Sequence, residues 1–160
     1  MKKAKKQIDL EDFPEKYASF MLNKELTNKE YELLERGFIP LQQEDKWYIY
    51  VEDAWIYFHR SWTGHARYKT KIEKSATGYL LTETCINEDT PSSSITFTNF
   101  SMTNFPNDID FAKTLVTYLI DRILLRKDIL FPKVEEFSAE ENFAYRFHLV
   151  GRASNNHPAD

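Results

Sequence analysis

Between Lys46 and Ile86 the apolar positions recur every second residue, the period of a strand with two distinct faces. Trp47, Ile49 and Val51 fall on one side; Tyr48 and Tyr50 fall on the other. Glu52-Asp53 interrupts the pattern. Ala54 to Arg60 then places Trp55, Tyr57 and His59 on one face and Ile56, Phe58 and Arg60 on the opposite one. The two runs predict a β-hairpin. Ser61-Trp62-Thr63-Gly64 predicts the next turn, with Gly64 able to adopt a positive φ. His65 to Glu73 alternates again: His65, Arg67, Lys69 and Lys71 are expected to face water or an anionic partner, against Ala66, Tyr68, Thr70 and Ile72. Ser75 to Gly78 reads as a turn and Tyr79 to Ile86 as a fourth strand, rich in Tyr, Leu and Thr.

Helical spacing flanks this region. Phe13, Tyr17, Phe20 and Met21 predict a short helix over 13–22, with Pro14 in its first turn. Thr27-Asn28-Lys29-Glu30 is a capping-box sequence and predicts a helix over 28–36. Gly37 stands where a left-handed C-cap residue belongs, and Pro40 prevents continuation. Ala112, Leu115, Val116, Leu119, Ile123 and Leu124 share one stripe, which predicts the longest helix over 108–126. Asn107 or Asp108 would cap it. Ser138-Ala139-Glu140-Glu141 repeats the capping-box pattern and predicts a short helix over 139–147. Asn87 to Asn107 reads as a polar loop that docks through Ile95, Phe97 and Phe100 or contributes a fifth strand.

The predicted fold is therefore α+β. A four- to five-stranded antiparallel meander is covered by one long helix, with N-terminal helices packed against it. Residues 1–12 are expected to form a flexible lead, 13–150 a single domain and 151–160 a disordered tail. A length of 160 residues fits one domain able to bury its own core.

Composition narrows the function classes. With 42% hydrophobic and 29% charged residues the chain belongs with soluble globular proteins. The net charge of −4 supplies no global basic field for a nucleic-acid backbone, so nucleic acid is not the expected partner. The N-terminal Lys2, Lys3, Lys5 and Lys6 lack the apolar stretch of a signal peptide, and no apolar run approaches the ~20 residues of a membrane span. A cytoplasmic location and no membrane partner are expected. Cys85, the one cysteine, excludes an intrachain disulfide and reads as a buried small residue. The histidines show no metal-ligand spacing, so no metal is expected.

Candidate chemistry concentrates in Tyr57-Phe58-His59-Arg60-Ser61-Trp62-Thr63-Gly64. Arg60 can clamp a phosphate or carboxylate with two parallel donors. Ser61, Thr63 and the N–H groups near Gly64 can complete an anion cradle. Trp62 or Tyr57 can stack a base. His59 can move a proton near neutral pH and is the candidate catalytic residue, if there is one. The same residues also suit a structural corner in which Trp62 plugs the core, Arg60 pairs with a carboxylate and His59 bridges strands. On a regular strand His59 and Arg60 point to opposite faces, so both cannot contact one ligand without a bulge.

The segment from Asp45 through the 108–126 helix resembles an uncharacterised small bacterial domain found alongside ADP-ribosylglycohydrolase and macrodomain-type proteins. The matching residues are Lys46-Trp47-Tyr48-Ile49-Tyr50, Tyr57 through Gly64, Ile86-Asn87-Glu88-Asp89 and Leu119-Ile120. Where that pattern has Asn-Arg-Asp, this chain has Asn87-Glu88-Asp89. The resemblance implies ADP-ribose or NAD biology by neighbourhood. The first expectation is a module binding a phosphate-bearing ligand (ADP-ribose, NAD or another nucleotide) through the His59–Gly64 turn. The second is a protein-interaction module, such as an immunity or accessory protein. The third is an enzyme of ADP-ribose metabolism, for which the order Arg60, Ser92-Ser93-Ser94, then Glu135-Glu136 or Glu140-Glu141 echoes the Arg, Ser and Glu of ADP-ribosyltransferases. No cofactor is specified by any of these residues.

Overall fold

The computed structural model describes residues 3–7, 10–88, 94–97, 100–103, 109–132, 135 and 137–154. Five antiparallel strands form the main sheet: β1 (Tyr17–Leu26), β2 (Trp47–Glu52), β3 (Trp55–Arg60), β4 (Ala66–Lys74) and β5 (Tyr79–Asn87). Their order is β1-β5-β4-β3-β2. Strands β2 to β5 are the expected meander, and β1 supplies the fifth strand by pairing with β5 from Tyr17↔Asn87 to Leu26↔Tyr79. The other two strands, β6 (Ser94–Phe97) and β7 (Phe100–Thr103), form a separate hairpin.

The α+β class stands, with two corrections to its detail. The segment expected as a helix over 13–22 is largely strand β1. Its aromatic spacing suits a helical period, but the residues alternate between sheet faces, with Leu22 and Leu26 buried and Tyr17 and Met21 exposed. Asn23 takes φ +53° where the register with β5 shifts between Met21 and Lys24. The only N-terminal helix among the described residues is α1 (Asn28–Glu35), closed by the Thr27–Glu30 capping box. The second correction concerns the one long covering helix. Regular α-helix α2 runs only over Ile109–Tyr118 and passes into a π-helical turn over Leu119–Leu124, where Leu125 N–H donates to the Ile120 carbonyl. Leu119, Ile120, Arg122 and Leu124 are all buried there. A 3.6-residue helix would turn part of that run to solvent, and the wider turn keeps it inward. Helix α3 (Ala139–Val150) starts at the Ser138–Glu141 capping box and ends in a 3₁₀ turn over Gly151–Ser154.

The two sheet faces have different covers. Trp47, Ile49, Ile56, Phe58, Tyr68, Leu81 and Ile86 join Leu34 of α1 and the C-terminal helices in the main core. On the other face Tyr48, Tyr50 and Tyr57 pack with Ala4, Leu10 and Ile39 in a smaller cluster. The N-terminal segment lies there, tied by Ala4 N–H to the Arg36 carbonyl (2.8 Å) and by Glu11 N–H to the Gly64 carbonyl (3.0 Å). Among the described residues no helix is long and apolar enough to cross a membrane.

The basic strand face expected on β4 is largely consumed inside the protein. β3 pairs Phe58 with Tyr68 but His59 with Ala66, which leaves Arg67 as the extra residue of a bulge. Arg67 is fully buried and donates to the Asn87 carbonyl at 2.6 Å. His65 is buried beside Glu11, and Lys69 Nζ sits 4.3 Å from the Trp55 ring centre and 5.1 Å from that of Phe13. Only Lys71 of the four stands open to water. Cys85 is buried, and burial pushes its thiol pKa up to about 11, which suits packing rather than nucleophilic work.

Gly37 joins α1 to β2 at φ +67°, and a Cβ there would strike the Ile49 carbonyl and the Ala4 side chain. Gly37→Ala should therefore lower stability by about 2 kcal/mol or more in a urea titration. A loss below ~0.5 kcal/mol would mean that this junction yields freely.

Candidate functional site

Strand β3 delivers Tyr57, His59 and Arg60 to the end of the sheet, and the turn after it carries Ser61, Trp62, Thr63 and Gly64. The turn is short because Gly64 N–H donates to the Arg60 carbonyl at 2.8 Å and Arg60 N–H donates to the His65 carbonyl at 2.9 Å. Gly64 has φ +73°, as its sequence position suggests.

The structure separates the seven candidate residues into three groups. Arg60 points into the helical side. Its Nη1 and Nη2 donate to the carbonyls of Leu149 and His148, each at 3.0 Å, and its guanidinium carbon lies 4.9 Å from the centre of the Trp47 ring. These are end carbonyls of α3, which lack partners within the helix and carry its negative dipole end. Trp47 Nε1–H donates to the same Leu149 carbonyl at 2.6 Å. Arg60 thus caps the helix with the two terminal nitrogens that the sequence offers for a ligand clamp. Burial pulls its pKa down to about 10, with the nearby Arg67 charge acting in the same direction. It remains a cation at neutral pH.

Tyr57 and His59 occupy the opposite face, as strand alternation requires. Tyr50 stacks on both, with ring centres 5.0 Å from Tyr57 and 5.4 Å from His59. His59 Nδ1–H donates to the Gly64 carbonyl at 2.9 Å, and the residue is 1% exposed. Burial lowers its pKa, so it is neutral at pH 7. The neighbouring turn is locked from the same side. Glu11 accepts from Ala66 N–H at 3.2 Å and meets His65 Nδ1 at 3.1 Å.

Trp62 and Thr63 are exposed, beside the half-buried Ser61 and the buried Gly64. They line an open cleft of about 760 Å³ with Lys3, Lys5, Gln7, Leu10, Ile39 and Tyr48. Trp62 is 69% exposed, yet its indole is fixed, since Nε1–H donates to the Gln43 carbonyl at 2.8 Å. Ser61 Oγ donates to the Asp45 carbonyl at 2.6 Å. Asp45 organises the loop beneath. Its carboxylate accepts from Leu41 N–H at 2.8 Å and from the Arg152 guanidinium through two 2.8 Å bonds. Burial works against that carboxylate, but Arg152 and the backbone donors hold its pKa below the usual range. The far wall is the N-terminal segment, where Tyr48 O–H donates to the Lys5 carbonyl at 2.8 Å and Gln7 Nε2 donates to Tyr48 Oη at 3.1 Å. Lys3 pairs with Glu35 at 3.4 Å.

Among the described residues the cleft thus gathers an exposed indole, a tyrosine, two cations and hydroxyl groups, with no acidic side chain in its lining. Sequence reasoning missed Lys3, Lys5 and Tyr48 as partners of the turn, because they meet it only through the path of the N-terminal segment. The lysine run itself was visible, but nothing local says where it folds back. Ser92 and Ser93, considered for an ADP-ribosyltransferase arrangement, lie outside the described residues. Glu141 of the same arrangement is used in the α3 capping box. Among the described residues no group of three or more His, Cys, Asp or Glu side chains could hold a metal ion. Against protein-family models, curated protein sequences and solved structures, the chain has no significant match.

Two outcomes follow from Arg60. Arg60→Ala removes two charge-assisted bonds and leaves helix carbonyls unsatisfied, so it should cost about 2–4 kcal/mol in chemical denaturation. Trp62→Ala should cost no more than about 1 kcal/mol, since it loses one exposed hydrogen bond. Equal costs would contradict the division of roles. The second outcome concerns pH. Burial first, then the Arg60 and Lys46 charges, push the His148 pKa down to about 4. The folded pKa lies below the unfolded value, so the unfolded chain takes up the proton first as pH falls. His148 therefore contributes stability above about pH 6.5 that is lost as the pH drops toward 4. Its slope stays below ~1.4 kcal/mol per pH unit once solvent screening is allowed for. His148→Gln should flatten the stability–pH curve in that window, and an unchanged curve would contradict the assignment.

Proposed function

We propose that this chain is a small binding module whose ligand carries phosphate and a flat ring, seated in the cleft between the Ser61–Gly64 turn and residues 3–7. The observation that carries this reading is the pairing of a held, exposed Trp62 with Lys3 and Lys5 in a cleft with no acidic lining residue among the described residues. An indole offers a stacking surface for any base. Lysine ammonium groups suit phosphate as point charges. Ser61 and Thr63 add hydroxyl groups. Arg60, Tyr57 and His59 support the turn from behind and leave the ligand to these groups.

ADP-ribose, NAD and simpler nucleotides are the ligands to try first, because the Tyr57–Gly64 octapeptide resembles that of a bacterial domain associated with ADP-ribose proteins. Among the described residues the titratable groups lining the cleft are two lysines and one tyrosine. That set favours binding over acid–base catalysis, since the neutral His59 sits beneath Tyr50 and the turn rather than in the cleft. A second reading, docking of a partner protein, draws on the exposure of Trp62 and Phe143.

A thermal-shift panel of NAD, ADP-ribose, ADP, AMP and inorganic phosphate tests the first reading. A ligand at 100 times its dissociation constant should stabilise the fold by about 2.7 kcal/mol. Trp62→Ala and Lys5→Glu should each remove the shift while leaving the unliganded melt near its original midpoint. Silence across the whole panel would overturn the nucleotide reading and leave the partner-protein one.

A further inference from the structure

The Trp62 ring has a neighbour outside the cleft. Lys46 Nζ lies 4.5 Å from the Trp62 ring centre and 5.3 Å from that of Phe147. Phe147 in turn stacks on Phe143, with centres 6.0 Å apart and planes 25° apart. Side chains from three segments therefore stand in a row: Phe143 and Phe147 from α3, Lys46 from the start of β2, and Trp62 from the turn. Phe143 is 55% exposed and Trp62 is 69% exposed. Single exposed apolar residues are ordinary, but a connected set of rings is not.

The row is also held in place. Phe143 and Phe147 are one helical turn apart on α3, whose end is pinned by Arg60 and Trp47. Trp62 is fixed by its bond to the Gln43 carbonyl. Lys46 stands between two ring surfaces, where burial and then the Arg60 charge lower its pKa against the opposing effect of Glu44. Ring, cation, ring is complementary to the base, phosphate, base order of a ligand with two bases joined through phosphate. Stacking suits the bases, and a point charge suits the bridging phosphate.

We infer that Phe143, Phe147 and Lys46 form a second subsite continuous with the cleft, and that the ligand contains two nucleobases joined through phosphate. One base stacks on Trp62, the joining phosphate meets Lys46 and the second base stacks on the Phe143–Phe147 pair. This rests on the nucleotide reading of the cleft. The same chemistry belongs to a free dinucleotide and to one step of a single-stranded oligonucleotide.

Calorimetric titration of the full chain at fixed salt with AMP, diadenosine pyrophosphate and a six-residue oligodeoxyadenylate separates these cases. The two-base ligand should bind roughly tenfold or more tightly than AMP, the gain expected from one added stacked base. Phe143→Ala, at an exposed position that leaves the core intact, should erase much of that gain without changing AMP affinity. Trp62→Ala should weaken every ligand. Binding of diadenosine pyrophosphate but not the oligonucleotide supports a free dinucleotide; binding of both supports a strand. Equal affinity for AMP and diadenosine pyrophosphate, or a gain untouched by Phe143→Ala, overturns the second subsite while leaving the cleft reading standing. Inorganic polyphosphate binding as tightly as diadenosine pyrophosphate overturns it in favour of charge alone. Failure of AMP, diadenosine pyrophosphate and the oligonucleotide together removes the cleft reading, and this inference falls with it.

Discussion

The end of α3 is fastened to the end of the sheet by two donors that cannot easily be replaced. Arg60 gives its two terminal nitrogens to the carbonyls of His148 and Leu149, and Trp47 gives its indole N–H to Leu149 as well. A helix ends in carbonyls without internal partners, and burying them unpaired costs several kilocalories per mole across the set. A guanidinium meets that need doubly, by hydrogen bonding and by its charge at the negative dipole end. Trp47 beneath it closes the contact. Much else follows from this one fastening. Burial first, and then the Arg60 charge, keep His148 neutral. The fastening also fixes the base of the Ser61–Gly64 turn, so the turn can hold a large indole out into water without moving.

That fastening changes what the corner of the sheet can do. An arginine on a strand next to a Ser-Trp-Thr-Gly turn reads as an anion clamp, and the chemistry is sound in isolation. In the fold its two terminal nitrogens donate to backbone carbonyls. The cations left facing the cleft are lysines from the N-terminal segment, a part of the chain that composition alone would set aside. In the proposed site, recognition would rest on an aromatic face with separate point charges rather than on a bidentate fork. A site of that kind would tolerate variation in the base and in the phosphate geometry, because neither stacking nor an ammonium imposes one orientation.

Local signals were legible wherever the chain satisfies its needs with near neighbours. Thr27 with Glu30 and Ser138 with Glu141 form the capping boxes that their spacing implies. The two-residue period found the β2–β3 hairpin, and Gly37 and Gly64 take the left-handed conformations expected of them. Alternation also placed His59 and Arg60 on opposite faces. Apart from the π-helical turn at Leu119–Leu124, the failures are long-range. Strand β1 pairs with residues about sixty positions away, which no window of sequence reveals, and its aromatic spacing happens to suit a helix. Arg67 left the basic face because a bulge opposite Phe58 and His59 shifts the alternation. Arg60 finds its partners 88 and 89 residues further along. The turn after β3 was therefore readable as a turn, but the separate packing of Arg60, of Tyr57 with His59, and of the turn residues was not.

The central claim is that, of the two most conspicuous side chains in the corner, Arg60 builds the site and Trp62 faces the ligand. A ¹H–¹⁵N correlation spectrum during titration with ADP observes both groups at once, through the guanidinium and indole N–H signals. The account predicts that the Trp62 indole signal moves with ligand concentration while the Arg60 guanidinium signals stay slow to exchange and unshifted. Movement of the Arg60 signals with a stationary Trp62 would contradict it.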